Sequence, residues 1–204
     1  MKTINSLFGL LFLLLIAFTM KPAVASGVHD TDDRMLENGG DYFILPSFDE
    51  EGGGVTLASI GVTHPLAVVQ SSSKNHLGLP ASIKTKETMI IFTDEMVSIK
   101  FTNVPDYNNA STWTLVMDEF VKVWYVGIGN VADYPSHRIK TGKFQIKEDN
   151  FDYKLVFCAD ANTTSCEDVG VYVDGEQNRR LVLSEVGGVA VKFMNADKSR
   201  VAFD

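Results

Sequence analysis

"LENGGDYFILP" (Leu36–Pro46) joins a turn to a strand. Asn38-Gly39-Gly40 is turn chemistry, because glycine reaches positive φ without strain and asparagine tolerates it better than most residues. The "DYFILP" that follows is aromatic and branched, which suits a pleated strand and not a helix. Short apolar runs of this kind recur outward along the chain: "GVTLASI", "PLAVVQS", "TMIIF", "VSIKFT", "TWTLVM", "KVWYVGIG", "GKFQIKE", "DYKLVFC", "VGVYVD", "RRLVLSE" and "VAVKFMN". They stand about 8–15 residues apart between clusters of Gly, Asn, Asp and Ser, and no segment carries the period of a long amphipathic helix. That spacing gives an all-β barrel or sandwich. About twelve short strands in one domain also fit a β-trefoil, three four-stranded units of about 60 residues around a pseudo-threefold axis. "PLAVVQS" and "RRLVLSE" lie about 115 residues apart, near two such units.

The chain has 204 residues, and the first 25 read as a signal peptide. Lys2 opens a short basic start, and an uncharged apolar run from Leu7 to Phe18 follows. The run falls well short of the roughly 20 residues a membrane-spanning helix needs. Ala23-Val24-Ala25 then offers the small residues signal peptidase reads, which places the cut between Ala25 and Ser26. Residues 26–204 form one domain, expected to be secreted (extracellular or vacuolar) and monomeric, with enough chain to bury a core. Losing Lys2 and Lys21 with the leader lowers the formal charge from −8 to −10. So acidic a surface argues against nucleic acid and anionic membranes as partners.

Cys158 and Cys166 are the two cysteines, in "FCADANTTSCED". In a secreted chain a close pair is most simply a disulfide. A metal site would want a nearby histidine to complete its ligands, and a redox pair would want a C-x-x-C spacing. No catalytic constellation stands out: His29, His64, His76 and His137 are scattered, and no serine occupies a GxSxG elbow. The chain is read as a non-enzyme needing no cofactor or metal. Trp113 and Trp124 lie in apolar strands and read as core. Asn109-Ala110-Ser111 and Asn162-Thr163-Thr164 are glycosylation sequons.

From near the expected mature start, "VHDTDDRMLENGGDYFILP" resembles the signature of the plant Kunitz-type (soybean trypsin inhibitor-like) protease inhibitors. "GGGVTLAS", "PLAVVQS", "GLP", "VSIKFT", "STWTL", "YKLVFC", "CEDVGVYVD" and "RRLVLS" match it in order, across residues 27–195. The resemblance implies a β-trefoil and reversible inhibition of serine proteases, a role in plant defence. It implies that Asn38 braces the protease-binding loop from behind. Most members carry an earlier second disulfide; His64 and about Tyr107 stand at those two positions here.

The resemblance places the protease-contacting loop within "ASIKTKETMIIFTDEM", Ala81–Met96, with Lys84, Thr85, Lys86, Glu87, Thr88 and Met89 as its reactive segment. Trypsin-like proteases keep an aspartate at the base of the specificity pocket, so a lysine or arginine must enter it. Lys86 is the first candidate, giving Lys86–Glu87 as the reactive bond, and Lys84 is the second. Counting back from "SIKF" puts Glu87 there instead, where the pocket's aspartate would repel it. The rival reading is a non-inhibitory storage or protein-binding trefoil, or an inhibitor of another protease class.

Overall fold

A computed structural model describes residues 25–48, 52–60, 66–104, 111–134, 137–150, 152–159 and 165–197. Thirteen strands form among them: β1 (Asp41–Pro46), β2 (Val55–Ser59), β3 (Leu66–Gln70), β4 (Ala81–Lys84), β5 (Ser98–Phe101), β6 (Trp113–Asp118), β7 (Val123–Ile128), β8 (Ile139–Lys140), β9 (Lys143–Asp149), β10 (Asp152–Cys158), β11 (Glu167–Val173), β12 (Arg179–Ser184) and β13 (Ala190–Asn195). One 3-10 turn, Val131–Asp133, interrupts them.

Six strands close into a barrel. β1 pairs with β4 and β13, β4 with β5, and β10 with both β9 and β13, all antiparallel. A single bridge between Val97 and Phe144 joins the approach to β5 to β9 and completes the ring. The remaining long strands form three hairpins, β2–β3, β6–β7 and β11–β12. These meet around one axis: β3 touches β7 at Ala67–Gly127, β7 touches β12 at Tyr125–Val182, and β12 touches β3 at Arg180–Val69. A barrel capped by three mutually paired hairpins is a β-trefoil. Thus "PLAVVQS" and "RRLVLSE" supply two corners of one triangle.

The two-residue alternation of the sequence fills the barrel. Ile99 and Phe101 of β5, Phe144 and Ile146 of β9, and Val191 and Phe193 of β13 are buried, while Lys100, Gln145 and Lys192 between them are not. Trp113 reaches in from β6 and meets Phe101 and Phe144, their ring centroids 5.6 and 5.7 Å away. Each such ring contributes about 1.5–3 kcal/mol by leaving water. Trp124 is half-buried against this core and carries Arg138 and Lys140 over its ring at 5.5 and 5.7 Å.

Two expectations need correction. "TMIIF" forms no strand: Ile90 and Phe92 make only isolated bridges, to Glu37 and Gly27, because this segment spends its backbone groups on the N-terminal strap instead of a ladder. "ASIK", absent from the alternating runs, is β4. Cys158 and Cys166 are bonded, closing the connection between β10 and β11 where Phe157 faces Glu167. The segment expected to be a leader, through Val24, lies outside the described residues, as do His64, Tyr107 and both sequon asparagines, Asn109 and Asn162.

Candidate functional site: a clamped loop between β4 and β5

The register of β1 on β4 fixes what faces the loop. Asp41 opposes Ser82 and Tyr42 opposes Ala81. Continued outward through the turn, the same antiparallel count brings Asn38 opposite Thr85. The turn itself closes with Gly40 N–H donating to Glu37 O at 3.0 Å, and Gly39 carries a φ of +84° at the third position. That is where a type II turn calls for glycine. Gly39 N–H donates to Ile83 O at 2.7 Å, Asn38 N–H donates to Met89 O at 2.9 Å, and the Ser82 hydroxyl donates to Gly39 O at 3.0 Å. The turn is therefore wedged between the two limbs of the loop.

The Asn38 side chain then spans the gap. Its Nδ2 donates to Thr85 O at 3.1 Å and to Thr88 O at 2.6 Å, and its Oδ1 accepts from Thr85 N–H at 3.1 Å. A turn asparagine serving its own backbone would bond within two residues of itself. These bonds instead reach 47 and 50 residues along the chain. Only an amide, with donors and an acceptor on one rigid plane, can make this set.

Between the two clamped residues, Lys86 and Glu87 are both exposed. Lys84 is exposed at the end of β4, where its carbonyl accepts from the Ser98 hydroxyl at 3.3 Å. Thr85 and Thr88 are half-buried, and Met89 is 86% exposed. The six residues singled out from sequence thus form one contiguous protrusion with Asn38 behind it.

Two supports were not legible as such. Glu95 accepts from the Thr85 hydroxyl at 2.6 Å and from Phe92 N–H at 3.3 Å, and its two oxygens lie 3.0 and 3.1 Å from Thr88 Oγ1. The sequence marks Glu95 only as an acid within the Ala81–Met96 window, which also holds Thr85, Thr88 and Thr93. The second support is the N-terminal strap. Val28 N–H donates to Ile91 O, Ile91 N–H to Leu36 O and Thr93 N–H to Ser26 O, each at 2.8–2.9 Å. Val28 and Leu36 are fully buried, so the strap is packed as well as bonded.

Among the described residues no group of three His, Cys, Asp or Glu side chains is placed to hold a metal ion. No helix among them is long and apolar enough to cross a membrane.

Comparison with known proteins gives the same architecture. Residues 28–195 match the legume Kunitz family described as trypsin and protease inhibitors. A Kunitz-type trypsin inhibitor-like 2 protein of Pisum sativum is 35% identical over 182 residues, covering 86% of this chain and 83% of its own. A Kunitz type trypsin inhibitor from Cicer arietinum superposes with a TM-score of 0.78 at 32% identity, covering 84% of this chain and 99% of that one. Soybean trypsin inhibitor in complex with porcine pancreatic trypsin superposes with a TM-score of 0.73 at 30% identity, covering 84% and 100%. The chain belongs to the plant Kunitz-type family of trypsin and protease inhibitors, which are β-trefoil proteins and not enzymes.

Proposed function

We propose that this protein inhibits trypsin-like serine proteases by offering Lys84–Met89 as a substrate-like loop, with Lys86 entering the specificity pocket and Lys86–Glu87 as the reactive bond. The observation that carries this reading is the Asn38 clamp: it grips the carbonyls of Thr85 and Thr88 and leaves only Lys86 and Glu87 free between them.

The clamp serves inhibition in two ways. Affinity depends on how little order the loop must gain on docking, and a loop already fixed at both ends gains little. Should the protease cut Lys86–Glu87, Thr85 on one fragment end and Thr88 on the other stay bonded to the same side chain. The new amine is then held beside the acyl group, and resealing competes with hydrolysis. Lys86 suits a pocket with an aspartate at its base; Glu87 there would be repelled, at a cost of several kcal/mol for desolvating its carboxylate.

The secretory route is part of the same proposal: a leader removed between Ala25 and Ser26, a monomer, and glycans on Asn109 and Asn162. Ser26 pairs with Thr93, so the body proposed to remain after cleavage is anchored at its first residue. Titration of the purified protein against trypsin, chymotrypsin and representative cysteine, aspartic and carboxypeptidases tests the function. Stoichiometric inhibition of trypsin is expected. Inhibition of no protease at micromolar concentration would return the chain to the storage or binding reading.

A further inference from the structure

We propose that Glu95 is a second positioning residue of the inhibitory loop, gripping by their side chains the two residues that Asn38 grips by their backbone. The proposal rests on Lys84–Met89 being the protease-binding segment.

The two braces converge from different groups. Asn38 takes Thr85 N–H, Thr85 O and Thr88 O. Glu95 takes the Thr85 hydroxyl at 2.6 Å and stands 3.0 and 3.1 Å from the Thr88 hydroxyl, whose one proton it shares with Ile90 O at 2.6 Å. The remaining lone pairs meet Phe92 N–H at 3.3 Å. An ionised carboxylate only accepts, and it has sites for all three donors. Hydrogen bonds to a charged acceptor are also stronger than neutral ones.

Threonine makes this grip effective. Its branched Cβ is stiff at χ1, so fixing the hydroxyl fixes the direction in which the backbone leaves the residue. With Thr85 and Thr88 each held at backbone and side chain, Lys86-Glu87 becomes a two-residue span between four fixed points. A carboxylate capping only its own turn would need Phe92 N–H alone. The bonds 10 and 7 residues back are what a loop brace requires.

The test uses Glu95→Ala, Glu95→Gln, Thr85→Val/Thr88→Val and the combination of the last with Glu95→Ala. In the free protein, amide hydrogen exchange across Thr85–Ile90 should quicken about tenfold in Glu95→Ala, the equivalent of one lost charged hydrogen bond. Glu95→Gln, which keeps one acceptor for Thr85, should fall between. With trypsin, Glu95→Ala should raise the rate of cleavage at the loop more than it raises the inhibition constant. Adding Glu95→Ala to the double valine variant should change the loop little, since both threonine hydroxyls are already gone and only Phe92 N–H is left to lose. Unchanged loop exchange in Glu95→Ala, or effects that simply add, would overturn the assignment. Failure of the parent to inhibit any protease would instead sink the inhibitory reading, and the exchange measurement would still decide whether Glu95 orders the loop.

Discussion

Replacing Asn38 separates bracing from turn-making. Asn38→Ala removes three hydrogen bonds, two to carbonyls and one from an amide. Each contributes about 0.5–1.5 kcal/mol net, and water can reach this half-buried site to replace part of it, so the loss should be about 2 kcal/mol. The turn survives, because Gly39 keeps its positive φ and the backbone N–H at position 38 still reaches Met89 O. The expected result is roughly 30-fold weaker inhibition of trypsin, faster hydrolysis of the bound inhibitor, and a small change in unfolding temperature. Asn38→Asp is the sharper control. It keeps the acceptor for Thr85 N–H but sets a second carboxylate oxygen against two carbonyl oxygens that Nδ2 now approaches to 3.1 and 2.6 Å. Aspartate should therefore be worse than alanine, although it looks the more conservative change. Inhibition constants and cleavage rates for the three proteins decide the matter. An aspartate variant equal to the parent, or better than alanine, would refute the bridging account.

Lys86→Ala should remove an anchor of the hot-spot kind and cost upwards of about 2 kcal/mol in trypsin affinity; mass spectrometry of slowly cleaved inhibitor should place the cut between Lys86 and Glu87, and a cut after Lys84, Glu87 or Met89 would move the reactive bond. Reducing Cys158–Cys166 should cost roughly 2.5 kcal/mol, since so short a loop carries little closure entropy; non-reducing peptide mapping should recover both cysteines in one linked fragment. Arg180→Met should destabilise by about 3 kcal/mol in denaturant unfolding, because it strands Asp118 and Asp174 with no cation. Burial alone would raise the Asp118 carboxyl, but bonds from Arg180 and from the Phe120 and Val121 amides outweigh it and hold it below the usual carboxylate value. Its stabilising contribution is thus complete above about pH 4 and is lost as the pH falls through the depressed value. The stability gap between parent and Asp118→Asn should be full at neutral pH and close on acidification, whereas a gap that widened in acid would reverse this sign.

The different reach of sequence and structure has a physical reason. Strand positions were legible because the barrel buries one side of each strand, and a period of two is written locally: Ile99 and Phe101, Phe144 and Ile146, Val191 and Phe193. "TMIIF" carries similar residues and forms no strand, since what its backbone bonds to is settled by a segment some 60 residues earlier, Ser26 to Leu36. Arg180 was equally hidden. Written as "RRLVLS", it reads as the polar start of a strand, yet it is 4% exposed, lies 5.5 and 5.7 Å from the rings of Tyr125 and Tyr172, and bonds Asp118 at 2.9 Å. Its Nε faces Asp174 at 3.4 Å without the alignment of a hydrogen bond. Burial pushes the Tyr125 hydroxyl up to about 12, with Arg180 working against the rise.

The same distinction governs the loop. A lysine in a polar loop can be found from sequence, but the Asn38 bonds that fix the loop around it come from a residue distant along the chain. Asn38 lies 47 residues before Thr85 and reaches it only because β1 and β4 are paired in one particular register. Slipping that register by one residue would turn Asn38 toward the opposite face and leave the loop unclamped with its sequence intact. The clamp is therefore tied to the closed barrel, through Tyr42 and Ala81, which are buried in the core and opposed in that pairing. A core change that loosened β1 against β4 should release the loop to cleavage before it unfolds the protein.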